Sequence, residues 1–300
     1  MERHLSGPIT VLINPGGGAA KKKDALPQLF HLLETHLPHA DVQVVNHGDE
    51  VTGRARAARD AGAKIIAAAG GDGTINAVAQ AVVNTDTRLG VLPFGTRNHF
   101  ASDAGIPLDM EQAVHLLTTN QVRRIDTGKV NDQIFINNAS VGLYPKLVEL
   151  SDQTTWTPNK TLRQITAALR LMFSASPVTV ELECSAGHMH EPVWLLFFGN
   201  NSYDLNIFSG GHRQTLTTGM LQTVIVPADR RLLVPRLVAR RFLGRVDPRH
   251  IRQVMERSVT VRMEDGEVAY DGQVGTMASP CIIKSVPASL LVVAPPDPQA

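Results

Sequence analysis

From residue 8 to about 118, short apolar runs alternate with stretches whose apolar positions recur every three or four residues, the pattern of β-α-β units. Ile9 to Ile13 reads as a strand that ends in the turn Asn14-Pro15-Gly16-Gly17-Gly18. A helix follows, with Leu26, Leu29, Phe30, Leu33 and Leu37 on one face. Val42 to Val45 reads as a second strand and Glu50 to Ala61 as a second helix. The run from Lys64 to Ala69 is a buried strand closed by Gly70-Gly71, and a third helix then carries Ile75, Val78, Ala79 and Val82 on one side. Leu89 to Leu92 supplies a fourth strand. Strands that enter helices through short glycine turns predict a parallel sheet covered on both faces, with ligands at the carboxyl ends of the strands.

Beyond Arg123 the texture becomes β-rich, with candidate strands at Asp126 to Asn137, Pro177 to Cys184, Pro192 to Phe198, Met220 to Val226, Ser258 to Met263, Val268 to Asp271 and Leu290 to Val293. Two helical patterns interrupt them, Leu162 to Phe173 and Leu232 to Leu243. The fold class expected is therefore α/β: a three-layer domain with a mostly parallel sheet over residues 1–124, then a β-rich domain over 125–294. The C-terminal segment is free to pack back on the first domain, and the Pro-rich residues 295–300 read as a disordered tail.

Composition narrows the classes. With 43% hydrophobic residues in 300, the chain can bury a sizeable core, and Lys+Arg 29 against Asp+Glu 28 leaves a net charge of +1. No global field marks a nucleic-acid binder. The two cysteines, Cys184 and Cys281, show no ligand spacing, and the histidines form no paired-ligand motif, so neither a disulfide framework nor a zinc site is expected. No signal-peptide core opens the chain and no apolar run reaches the roughly 18 residues of a membrane span. A cytoplasmic location, peripheral on the inner membrane face, is the expectation.

Three glycine turns follow three of the parallel strands: Asn14 to Gly18, Gly70-Gly71-Asp72-Gly73-Thr74, and Pro93-Phe94-Gly95-Thr96-Arg97-Asn98. Glycine lets the backbone approach a ligand closely, and N–H groups at a helix start point at phosphate oxygens. Thr74, Thr96, Asn14 and Asn98 add hydroxyl and amide groups. Any one turn alone is ordinary punctuation; three at one sheet edge point to a phosphate-bearing ligand. Asp72 beside a polyphosphate is repulsive unless a cation intervenes or the carboxylate accepts hydrogen bonds, which suggests Mg²⁺ on a nucleotide. None of the turns matches a P-loop or a dinucleotide-binding G-x-G-x-x-G.

These segments, together with Asp126-Thr127-Gly128 and Phe135-Ile136-Asn137-Asn138-Ala139-Ser140-Val141-Gly142, resemble the diacylglycerol-kinase catalytic family, with its bacterial lipid-kinase branch and the sphingosine kinases. The first turn is similar to N-P-x-[SG]-G, Gly70 to Asn76 to G-G-D-G-T-x-N, and Pro93 to Ala101 to P-x-G-T-x-N-[DH]-F-A. The resemblance implies that the first domain binds ATP, that the second is a β-sandwich, and that a lipid acceptor meets the nucleotide between them. It implies a nucleotide cradle of Asn14, Gly70, Gly71, Asp72, Gly73, Thr74, Gly95, Thr96 and Asn98, with Asp72 placing Mg²⁺ or orienting the acceptor.

Two positions depart from the family pattern. Relatives usually carry D-G-E near the C-terminus, the Glu serving as base, whereas this chain has Asp271-Gly272-Gln273, and an amide cannot accept the proton. Asp271 and Asp72 are then the candidate bases. A second triplet, Asp265-Gly266-Glu267, reads as the hairpin turn before the strand ending at Asp271. At Thr218-Gly219 bacterial relatives often have Asp-Gly contributing to a structural Mg²⁺ site.

The expected activity is phosphoryl transfer from Mg-ATP to a lipid hydroxyl. A non-catalytic lipid or nucleotide sensor is the alternative raised by Gln273, and a NAD kinase ranks below it because Asn137-Asn138 stands where an N-E pair is expected. Arg230, Arg231, Arg236, Arg240, Arg241, Arg245 and Arg249, interspersed with leucines, read either as a basic amphipathic helix on anionic lipid or as a core-packed surface helix broken by Pro235. The lipid, and the oligomeric state, are left open.

Overall fold

The computed structural model describes residues 7–16, 24–45, 47–95, 98–119, 121–142, 176–185, 187–203, 212–230, 252–264 and 266–297. The chain divides into two compact units: Met1–Thr127 with Thr215–Thr217 and Pro287–Ala300, and Gly128–Gln214 with Thr218–Val286.

In the first unit, strands β1 (Ile9–Ile13), β2 (Asp41–Val44), β3 (Ile65–Gly70) and β4 (Arg88–Pro93) lie parallel in the order β2-β1-β3-β4. All six residues of β3 are buried, and its Ala67, Ala68 and Ala69 are small enough for helices to pack closely on both faces. Helices α1 (Ala25–His36), α2 (Glu50–Asp60), α3 (Asp72–Val82), α4 (His99–Asp103) and α5 (Met110–Leu117) connect the strands. Helix α3 buries Thr74 to Ala79 as well as Ala81 and Val82, more than one amphipathic stripe, because α2 covers its far side. Thr52 donates its hydroxyl to Ala77 O at 3.1 Å, and Arg59 caps Ala81 O at 2.6 Å. Helix α5, which periodicity left unassigned, starts at Asp109, whose carboxylate accepts the Gln112 N–H at 3.0 Å.

Strands β5 (Val122–Val130) and β6 (Gln133–Phe135) form a hairpin where one long strand was expected, the chain reversing at Asn131-Asp132. The second unit is otherwise built from β7 (Asn138–Gly142), β8 (Val178–Cys184), β9 (Gly187–Asn200), β10 (Leu221–Pro227), β11 (Arg252–Glu256), β12 (Ser258–Met263), β13 (Glu267–Tyr270), β14 (Gln273–Thr276) and the first half of β15 (Cys281–Val293). All of these pair antiparallel. Strand β9 pairs with β8 through Val193, then with β10 and β7 from there on, and so belongs to two sheet segments. Phe135, Phe198, Leu196, Val261 and Ile283 fill the core. Burial alternates along β12 and the start of β15, as one face of a sandwich requires, whereas β9 is buried at every position from Val193 to Asn200.

The C-terminal half of β15, from Pro287, belongs to the first unit, where Val292 lies parallel opposite Leu89 of β4. Asp126 accepts the Ala288 N–H at 2.9 Å, and Thr127 and Ser289 share a buried 2.9 Å hydrogen bond. The tail expected to be disordered from residue 295 is ordered as far as Asp297, which pairs with Arg123 at 2.6 Å, both side chains largely buried. Strand β12 pairs with β8 and β15, while β13 pairs with β7 and β14, so the strands on either side of the expected turn do not pair with each other as a hairpin would. The two expected helices at 162–173 and 232–243 lie outside the described residues, as do all the arginines of the basic cluster except Arg230, in a short 3-10 turn at Ala228–Arg230. Among the described residues no helix is long and apolar enough to cross a membrane. Both cysteines are free, Cys281 within the core.

Candidate active site

In the first unit the carboxyl ends of β1, β3 and β4 carry the three glycine turns. The strand order reverses direction between β1 and β3, where open α/β sheets leave a crevice. Two bonds extend the ladder into the loops, Asn14 N to Ala69 O at 2.9 Å and Phe94 N to Gly70 O at 3.1 Å. Asn14 Nδ2 then donates to Thr74 Oγ1 at 3.2 Å, and its Oδ1 accepts the Gly16 N–H at 3.0 Å. Gly95 lies against Gly71 so closely that a Cβ on it would stand 2.5 Å from the Gly71 Cα. Asn98, in the left-handed region at φ 51°, accepts the Gly95 N–H at 3.0 Å and donates back to Gly95 O at 3.3 Å.

Asp72 takes the hydrogen-bond-accepting role that its sequence context left open beside a cation. Its carboxylate accepts the backbone N–H of Phe100 at 3.1 Å and of His99 at 3.4 Å, at the start of α4. It therefore fastens the third turn to the second, in addition to any charge it places. The structure thus brings together Asn14, Gly70, Gly71, Asp72, Thr74, Gly95 and Asn98; Thr96 lies outside the described residues. Gly73 is exposed in the first turn of α3, and a Cβ there would meet nothing within 4 Å. The N–H groups of Asp72 and Gly73, at the first two helical positions, have no preceding turn to bind. Helix-start N–H donors of this kind fit a phosphate. Among the described residues no three His, Cys, Asp or Glu side chains gather to hold a metal; for an ion carried by phosphates, Asp72 is the carboxylate present in the cradle.

Asp271, the other candidate, lies in the second unit in the two-residue turn between β13 and β14. Asp271 and Gly272 both have positive φ, 48° and 84°, as the favoured type I′ hairpin turn requires. This D-G signal was readable in the sequence. The carboxylate turns back onto the Ile136-Asn137-Asn138 backbone, accepting N–H groups at 2.7, 2.8 and 3.1 Å. Burial pushes its pKa up to about 6, although the three N–H donors and the positive charge of Arg213 pull the other way. Part of the residue reaches solvent, but its oxygens are the enclosed part. Gln273 is exposed at the start of β14. At Thr218 the residues do not fit a structural Mg²⁺: its N–H and hydroxyl both donate to Asn201 Oδ1, at 2.7 and 2.6 Å, and neither residue offers a carboxylate.

Residues 8–130 match the family described as the diacylglycerol kinase catalytic domain. The diacylglycerol kinase of Bacillus subtilis (strain 168) is 30% identical over 280 residues, covering 89% of this chain and 90% of that protein. A Chromohalobacter salexigens protein named "Probable lipid kinase YegS-like" is 30% identical over 200 residues, 63% of this chain and 62% of its own length. A crystal structure of a diacylglycerol kinase from Bacillus anthracis superposes with a TM-score of 0.73 at 18% identity, covering 99% of both chains. An α/β unit with three glycine turns at one strand edge, followed by an antiparallel β unit, is the architecture of that class. The chain belongs to the diacylglycerol kinase catalytic-domain family, and the relatives of known name are lipid kinases.

Two outcomes follow from the geometry. Gly95→Ala should lower stability by about 1 to 3 kcal/mol because backbone must move, whereas Gly73→Ala, with open space at its Cβ, should change it by less than about 1 kcal/mol. Urea midpoints at constant m-value read both. For Asp271 the folded pKa lies above the unfolded value of 3.8, so the folded state binds this proton more tightly. Its favourable contribution is complete below about pH 4 and is lost as pH rises through about 6. Asp271→Asn should remove that slope, on the order of 2 to 3 kcal/mol between pH 4 and pH 7. Equal pH slopes for wild type and variant would show that Asp271 does not titrate as its burial implies.

Proposed function

We propose that this protein is an ATP-dependent lipid kinase that transfers the γ-phosphoryl group of Mg-ATP to the hydroxyl of a diacylglycerol-like lipid. The observation that carries the reading is the clamping of three turns into one cradle, by Asn14 on Thr74, Gly71 on Gly95, and Asp72 on the His99 and Phe100 N–H groups. Backbone donors of Asp72 and Gly73 bind phosphate oxygens, and Asn14, Thr74 and Asn98 fix the loops that carry them. When bound, Mg²⁺ neutralises charge developing on the phosphates. Asp72 orients that ion while holding the third turn in place.

Asp271 is ionised at neutral pH and able to take the acceptor's proton. Its Oδ1 accepts two N–H groups and its Oδ2 one, which leaves Oδ2 the freer atom for the proton. Because the transition state is loose, placement of phosphate and acceptor supplies most of the acceleration, and Gln273 does not silence the site. The arginines of 230–249 would hold the enzyme on anionic lipid, each worth about 1 kcal/mol near the surface.

Incubation of the protein with labelled ATP and a total lipid extract, followed by mass spectrometry, should yield a phosphorylated lipid. Asp72→Asn, which keeps one oxygen for the backbone donors, should lower kcat by about 100-fold or more with little change in unfolding midpoint. Turnover near wild type in that variant would place the nucleotide elsewhere. Gln273→Glu should raise kcat if the proton acceptor limits the rate, by up to about 100-fold. A silent wild type that Gln273→Glu does not awaken would favour a lipid or nucleotide sensor.

A further inference from the structure

Arg213 is 4% exposed in the second unit, in a stretch where no periodic pattern singles it out. Its guanidinium donates through Nη1 to Ile136 O at 2.6 Å and through Nη2 to Asn137 Oδ1 at 2.8 Å. Its central carbon lies 5.3 Å from the centroid of the Tyr203 ring. Tyr203 and Asn200 complete the enclosure, since the Tyr203 hydroxyl and the Asn200 N–H both donate to Asn137 O at 2.9 Å, and Asn200 Nδ2 donates to Ile136 O at 3.0 Å.

The same backbone is held from its opposite side by Asp271, which accepts the N–H groups of Ile136, Asn137 and Asn138. The peptide joining Ile136 to Asn137 therefore has its carbonyl oxygen on a guanidinium and its N–H on a carboxylate. Cation and anion are bridged by one amide, whose dipole is aligned with the field of both. We infer that Arg213 is a positioning residue for Asp271, acting through the Ile136–Asn137 peptide that lies between them. The positive charge of Arg213 draws Asp271 toward ionisation. A polarised amide is a better donor at its N–H when its oxygen is bound, so the arrangement strengthens the grip on Asp271 without touching it. Among the described groups Arg213 is the charged one acting on Asp271; Tyr270 precedes Asp271 in the chain, and Tyr203 faces the guanidinium.

The test reads Asp271 directly, by carbon-13 carboxyl NMR titration of the full-length protein, with amide exchange at Ile136, Asn137 and Asn138. Arg213→Gln should raise the Asp271 midpoint by about one pH unit and speed exchange at the three amides. Arg213→Lys, which keeps the charge and loses the fork, should restore the midpoint but not the protection. Faster exchange with an unmoved Asp271 in a folded Arg213→Gln variant would reduce Arg213 to a packing residue and overturn the inference. If Arg213→Gln does not fold, Arg213→Lys decides: exchange at least tenfold faster at these three amides alone supports the inference, whereas wild-type exchange there, or an equal loss of protection at Asn200 and Tyr203, overturns it. One further measurement rests on the proposed kinase reading. The acid limb of kcat against pH should move upward with the Asp271 midpoint in Arg213→Gln. A midpoint that moves while the limb stays would remove Asp271 as the base and leave the positioning role of Arg213 standing.

Discussion

Two carboxylates organise this molecule by accepting backbone N–H groups from segments remote in sequence. A polar backbone group withdrawn from water must find a partner, and loops at strand ends lack the ladder that supplies one. Asp72 meets the need for the start of α4, and Asp271 for the Ile136-Asn137-Asn138 turn. In both cases a short acidic side chain replaces a stretch of regular structure. The cradle at the ends of β1, β3 and β4 and the enclosure around Arg213 each depend on one such clip. These are charge-assisted bonds, about twice as strong as those between neutral groups, which is why so short a loop can hold its shape.

The dual use of Asp72 alters how its chemistry should be regarded. A carboxylate in a glycine turn invites a purely electrostatic role, with little packing at stake. Its bonds to His99 and Phe100 mean that the charge and the shape of the cradle are set by the same atoms. Removing the side chain would damage both, so the conservative amide is the informative replacement. Asp271 combines roles in a similar way, because the donors that orient it also oppose the desolvation that raises its pKa.

Much of the first unit was legible because parallel strands buried on both faces are uniformly apolar and their glycine turns punctuate them. Strand β1 coincides with Ile9 to Ile13, and β12 with Ser258 to Met263. Short elements escaped: α4 has five residues, too few for a period, and exists because Asp72 caps it from 27 positions away. Strands β11 and β14 are edge elements that alternate weakly, and the break between β5 and β6 carries a turn cue, Asn131-Asp132, that the reading of one strand from Asp126 to Asn137 passed over. The nucleotide-type turns were visible through glycine spacing, whereas Arg213 was not, since its partners are main-chain oxygens and an amide that no sequence spacing encodes. The Asp271-Gly272 turn lay in plain view as a D-G pair, yet the neighbouring Asp265-Gly266 offered the same cue and only strand pairing separates them.

Strand β9 serves two sheet segments, exchanging β8 for β10 and β7 around Val193. Slipping one strand by a residue turns its inward side chains outward, a penalty usually charged to a single sheet. Here a slip of β9 would break its pairings with β10 and β7 in one segment and with β8 in the other at once. The register of β9 is therefore specified by two sets of partners at once, so no single neighbouring strand can be re-zipped without breaking the pairing of another.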